Sequence, residues 1–358
     1  MKQLKNKVLI ILKKKEDYES EKENNIGLST GLYNSALFIH NMLNNYDVKS
    51  KMVIVNDNND IDKEVYKYKP THVIIEALWV VPEKFNILCK LHPDVKWIIR
   101  LHSQLPFISN EGIAMDWIAN YVKFPQIIIA ANSNRMLEEM RFYLQTKMNW
   151  SDEETKDKII FLPNYFPNIN IDHEQNYDKN IINIGCFGSI RPLKNQLIQA
   201  MSAIKFAEEN NKTLYFHINV GRIEQKGEPI LKNLKGLFEQ LENKNYKLVL
   251  HEWMPRKEFL DLCKTMDIGM QCSFSETFNI VLADLVSVGT PVIGTSEIPW
   301  LSKLFTVNPT NSRQIERKIR LAYNYPKLNV WLNKRNLNFY SNKTIYIWLD
   351  FLNKNNKT

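Results

Sequence analysis

Two carboxylates and a lysine carry the most visible chemistry in this sequence. Glu276 stands in a polar turn, Ser273 to Thr277. Asp284 follows eight residues later, in a segment from Phe278 to Val288 that contains no Gly or Pro. In a helix, eight residues turn through about 800°, so the two acids point within roughly 80° of each other and lie about 12 Å apart along the axis. The backbone N–H groups of Thr277, Phe278, Asn279 and Ile280 have no helical acceptors there and face any anion placed between the acids. A nucleoside diphosphate-sugar suits such a row, with sugar hydroxyls by Glu276, phosphates over the helix start and ribose by Asp284. The plain alternative is that Glu276 caps a helix and Asp284 is a solvated helical residue. Spacing by itself favours the plain reading.

The elements around the acids are those of a parallel sheet. A short apolar run ends near Cys272, the acidic turn and helical segment follow, and Gly289 stands where a helix stop tolerates positive φ. Thr290 to Gly294 then reads as a turn into a buried strand. Strand, turn, helix and strand make a βαβ unit, and such sheets bind ligands at the carboxyl ends of their strands. A second unit of this type begins at NIINIGCFGSIRPLKNQ, where a strand is followed by Gly188, a basic loop with Arg191 and Lys194, and a helix. A lysine there offers a point charge to phosphate, and an arginine offers a planar fork.

Ser273, Glu276, Phe278, Asp284, Gly289, Pro291 and Val292 together match a longer pattern: Ser-x-x-Glu, an aromatic two residues on, a second acid at the eighth position, then Gly-x-Pro-Val. This resembles the family-four, or group-one, retaining glycosyltransferases. Asp284 stands where that family usually has Glu, and Thr277 and Asn279 where it often has Gly. Around Lys194 the family has Gly-Arg-hydrophobic, three residues, then Lys-Gly. Gly188, Ile190 and Lys194 align, Ser189 replaces the Arg with Arg191 two residues later, and Asn195 replaces the Gly. The resemblance implies an α/β chain of the GT-B fold: two Rossmann-like domains facing a cleft, with a C-terminal helix crossing back to the first. The expected division is 1–170 for an acceptor domain, 171–340 for a nucleotide-sugar domain and 341–358 for the crossover helix.

The chain has 358 residues, enough for two domains, and a hydrophobic fraction of 44%. No apolar run approaches the roughly 18 residues of a membrane span. The N-terminal MKQLKNKVLIILKKK has too short an apolar stretch, and no small-residue cleavage site, for a signal peptide. It reads as a first buried strand. Four scattered cysteines suggest reduced core thiols and a cytoplasmic protein. Asp57, Asp60 and Asp62 lack the Gly and distal Glu of a calcium loop and read as surface. The net charge of +8 favours a polyanionic partner, although a Lys- and Asn-rich surface also arises from biased codon usage.

In the first half, apolar runs near 7–12, 52–55, 72–77, 95–101, 126–131 and 159–162 read as strands. His102 lies just past the fourth. The resemblance implies that His102 faces the donor sugar and helps position the reaction centre. It also implies that the Gly27/Gly31 loop faces the donor diphosphate or the acceptor. Arg100 and Glu111 are the nearby candidates for acceptor contacts. Met254, after the strand at 247–250, falls where these enzymes hold the nucleotide base. The implied reaction is transfer of a sugar, with retention, from a nucleoside diphosphate-sugar to a hydroxyl. The expected co-substrate is a UDP-sugar, with no metal or other cofactor.

The runs THVIIEALWVVPEKF and WIIRLHSQLPF look like glycosyltransferases of tailed bacteriophages. They point to a hydroxymethylated pyrimidine in duplex DNA as acceptor, with host cytoplasm as the location. Two other readings stand beside this one: a transferase of cell-surface polysaccharide or lipid-linked glycan, and a non-catalytic nucleotide- or DNA-binding protein of the same fold.

Overall fold

A computed structural model of the chain describes residues 6–14, 31–168, 180–241 and 245–354. They form two compact units. The first comprises the described residues up to Pro167 together with those from Ser341 onward; the second runs from Asn168 to Tyr340.

The first unit is built on β1 (Lys7–Lys13), β2 (Lys49–Val55), β3 (His72–Glu76), β4 (Lys96–Leu101), β5 (Ile127–Ala131) and β6 (Ile159–Phe161). All pair in parallel, in the order β2-β1-β3-β4-β5-β6. Val8 to Leu12 are wholly buried, as a continuous apolar run requires when helices cover both faces of a sheet. On one face Trp348 and Leu352, from the last helix, pack with Val8, Ile10, Ile74 and Ile98. Trp348 also donates its indole N–H to the Pro163 carbonyl at 2.9 Å.

The second unit contains β7 (Ile181–Gly185), β8 (Thr213–Asn219), β9 (Lys247–His251), β10 (Ile268–Gln271), β11 (Val292–Thr295) and β12 (Thr306–Val307). Its parallel order is β12-β11-β10-β7-β8-β9. Strand order reverses between β7 and β10, and that is where an open α/β sheet leaves a crevice at its carboxyl edge.

The helix after β10 differs from expectation. It spans Ile280–Ser287 instead of starting at Phe278, because Asn279 sits in the left-handed region at φ 57° and its side chain caps the Leu282 N–H. Glu276 therefore lies in the turn, and the 800° relation between Glu276 and Asp284 does not hold. The stop is as read: Gly289 has φ 92°. The last helix, Pro326–Lys354, contributes to the second unit as far as Tyr340 and to the first from Ser341. All four cysteines are buried and free. Among the described residues, no helix is long and apolar enough to cross a membrane.

Candidate functional site

The turn after β10 and the loop after β7 meet at the reversal point. Lys194 ends a short 3-10 turn, Pro192–Lys194, and its Nζ lies 2.5 Å from Glu276 Oε1. Both side chains are nearly enclosed, 11% and 7% exposed. Gln271, the last residue of β10, joins them to the helix start. Its Oε1 accepts from Lys194 Nζ at 3.1 Å and from Asn279 Nδ2 at 3.0 Å, while its Nε2 donates to the Phe187 carbonyl at 2.7 Å. The two loops are tied directly by the Phe274 N–H to the Leu193 carbonyl, 2.9 Å. Gly188, with φ 111°, gives its N–H to Asn219 Oδ1 at 2.9 Å. A Cβ there would meet only Lys194 Cε at 3.9 Å, so backbone conformation, not space, requires glycine.

Two departures from the family pattern now have a physical account. Asn195 has φ 58° and Asn279 φ 57°. Asn is the side-chain-bearing residue that most readily takes this region, so it replaces Gly with little backbone cost. Each Asn also uses its amide. Asn195 donates to the Cys272 and Pro309 carbonyls at 3.0 and 2.8 Å, and Asn279 bonds Gln271 and Leu282. Among the described residues, no acceptor faces the backbone N–H groups of Ile280 or Val281.

Asp284 lies one turn into the helix and is 2% exposed. It pairs with the Arg256 guanidinium, from the first turn of the helix Arg256–Lys264. Burial pushes its carboxyl up to about 6, against the opposing pull of Arg256. A ribose contact therefore requires that ion pair to be shared. Phe278 turns its side chain inward. Its ring is 1% exposed and tilted against Trp300 and Tyr340, and the Trp300 indole holds its carbonyl at 2.8 Å. Its side chain is core, and the donor contact expected of Phe278 is through its backbone N–H. Arg191 lies 3.3 Å from Glu224, which also binds Arg222 at 2.6 Å. Met254 is half-buried. It follows β9, whose His251 ring stacks on His217 with Nε2 to Nδ1 at 2.9 Å. Burial, then the neighbouring imidazole, lowers His217 to about 4.

In the first unit Glu76 and Arg100 are register partners at the ends of β3 and β4. Arg100 Nη1 lies 3.0 and 3.2 Å from the two Glu76 oxygens, its Nη2 binds Asn164 Oδ1, and His102 Nε2 also binds Glu76. Burial alone would raise the Glu76 carboxyl, but the Arg100 and His102 charges outweigh it and hold Glu76 low. Burial lowers His102, against the pull of Glu76. His102 keeps 15% of its side chain exposed and Arg100 none. The expected acceptor contact of Arg100 is thus replaced by a place beneath His102, where it balances Glu76. Glu111 is exposed, Gly31 begins the helix Gly31–Asn45, and Gly27 lies outside the described residues. Among the described residues, no group of three or more His, Cys, Asp or Glu could hold a metal.

Sequence reasoning missed Gln271, Arg256, Glu76 and Asn164. A polar residue closing an apolar strand was a usable signal for Gln271 and Glu76. Nothing local marks Arg256, which lies 28 residues from its partner.

Two six-stranded parallel sheets in separate units, the second with a Rossmann strand order, define the GT-B fold. No family model and no curated protein matches the sequence. Solved structures match over nearly the full length. Anabaena HepE in complex with UDP and glucose superposes with a TM-score of 0.64 at 12% identity, covering 98% of this chain and 99% of that one. A UDP-forming α,α-trehalose-phosphate synthase from Burkholderia xenovorans gives 0.65 at 9%, covering 99% of each. The N-terminal domain of Candida albicans trehalose-6-phosphate phosphatase gives 0.66 at 11%, covering 99% and 98%.

Proposed function

We propose that this chain is a retaining glycosyltransferase that moves a sugar from a UDP-sugar to a hydroxyl. The observation that carries the reading is the Lys194–Glu276 pair, enclosed at the strand reversal of a Rossmann-like sheet and braced by Gln271. It puts a fixed cation, a carboxylate and a helix start at one crevice edge, as a diphosphate joined to a sugar needs. The UDP bound to HepE and the UDP-forming synthase support the choice of nucleotide.

In this reading the acceptor oxygen bonds the anomeric carbon on the face that the leaving phosphate oxygen vacates. The acceptor proton passes to that phosphate oxygen, and UDP departs with the bonding pair. Lys194, with the Ile280 and Val281 N–H groups, offsets the charge that grows on UDP. Glu276 exchanges its Lys194 contact for sugar hydroxyls. The family resemblance assigns His102, its Nε2 held by Glu76, to the sugar. Asp284 and Arg256 serve the ribose side, and Met254 the base.

The phage-like first half and the charge of +8 lead to a hydroxymethylated pyrimidine in DNA as acceptor. A lipid-linked or surface glycan is the second reading, favoured by the exposed side chains of Leu328, Trp331 and Phe339. A thermal-shift series with UDP and UDP-sugars, followed by assay of UDP release with each acceptor class, tests the proposal. A donor-dependent rise in melting temperature with turnover is expected. No shift with any nucleoside diphosphate would sink it. Binding without turnover would favour the non-catalytic alternative.

A further inference from the structure

The Pro326–Lys354 helix carries a face that the sugar-transfer reading does not use. Leu328, Trp331 and Phe339 are 42%, 57% and 73% exposed. With Arg335 between the last two, they fall within an arc of roughly 80° on the helix. Arg335 lies along the Trp331 ring, 5.6 Å from its centroid. Tyr325, just before the helix, is also exposed. Single exposed apolar residues need no explanation, but a row along several turns marks an interaction surface.

Much of the net charge lies in this helix and the one before it in sequence, Ser312–Asn324. Residues 312–340 hold seven Lys or Arg and one Glu, a net +6 of the chain's +8. Arg320 is engaged by Glu316 and Glu209, whereas Arg313, Arg317, Lys327 and Arg335 are exposed. From Pro326 to Leu349 there is no acidic residue.

We infer that this face docks on an anionic bilayer surface, with Leu328, Trp331 and Phe339 at the headgroup boundary and the cations at phosphate level. Aromatic and aliphatic side chains beside Lys and Arg are the composition that partitions to that boundary. Each cation near an anionic leaflet adds about fivefold to partitioning. A second copy of the same face would bring like charges together. Duplex DNA would meet the cations but gain little from exposed Leu and Phe. The inference does not depend on the sugar-transfer reading, since none of these residues lies in the Lys194 cluster.

The test is co-sedimentation of the full chain with vesicles of phosphatidylcholine alone and of phosphatidylcholine mixed with phosphatidylglycerol, at low and high salt. Binding to the mixed vesicles only, weakened by salt, is expected. Trp331→Ser with Phe339→Ser should reduce partitioning by about tenfold or more, and Lys327→Gln or Arg335→Gln by about fivefold each. The melting temperature of each variant should stay that of the parent, which separates lost docking from lost folding. No vesicle binding at low salt, binding that ignores these variants, or stripe-dependent binding to a duplex oligonucleotide without vesicle binding would each overturn the inference.

Discussion

Lys194 and Glu276 are separated by 82 residues of chain and meet at 2.5 Å in a nearly closed site. Removing one partner of such a pair leaves the other charge buried without its counter-charge, which costs about 3–5 kcal/mol. Lys194→Met and Glu276→Gln should each lower stability by that order. The double variant should recover much of the loss. Activity should not recover: kcat/KM is expected to stay about 100- to 1000-fold down when a charge-stabilising donor is gone. Chemical denaturation and a UDP-release assay on the three variants read both quantities. Recovery of activity in the double variant would assign the pair a purely structural role.

Asn195 and Asn279 reverse the usual ranking of substitutions. At φ 58° and 57°, alanine is strained by about 1–2 kcal/mol, whereas glycine is not. Asn279→Ala should therefore melt below Asn279→Gly, although alanine is the better helix former. The same order should hold at Asn195. Both glycine variants should still lie below the parent, because the amide bonds to Gln271 and to Cys272 are lost. Equal melting temperatures for Ala and Gly would show that the left-handed backbone does not matter at these sites.

Glu76 is enclosed between Arg100 and His102. Glu76→Gln strips the counter-charge from a guanidinium with no exposed surface, and a loss of about 3–5 kcal/mol is expected. It also weakens the hold on the His102 ring, so kcat should fall more than KM rises if His102 orients the sugar. A KM effect alone would place His102 in ground-state binding.

His217 supplies a pH prediction. It is held near 4 in the folded chain against 6.5 ordinarily, so the fold favours the neutral ring. This contribution, about 3 kcal/mol, is complete above pH 6.5 and is lost as pH falls towards 4. Between pH 7.5 and 4.5 the parent should lose more melting temperature than His217→Gln. Parallel curves would show that the stacked pair does not couple to acid unfolding.

Apolar runs placed the wholly buried strands, because a parallel strand buried on both faces must be apolar throughout, as Val8 to Leu12 are; the two-residue β12, Thr306–Val307, was not among them. The Ser273–Val292 pattern likewise pointed to the helix and its Gly289 stop, since positive φ has few tolerant residues. Helix periodicity misled at Glu276, because one left-handed Asn moved the helix start by two residues. The side chains that each acid meets were not legible. Arg256 reaches Asp284, and Lys194 and Gln271 converge, only because strand order reverses between β7 and β10. Glu76 and Arg100 meet through a register between neighbouring strands. Local sequence dictates backbone conformation through sterics and burial over a few residues. The partner of a buried charge is set by packing between segments far apart in the chain, and no short stretch of sequence records it.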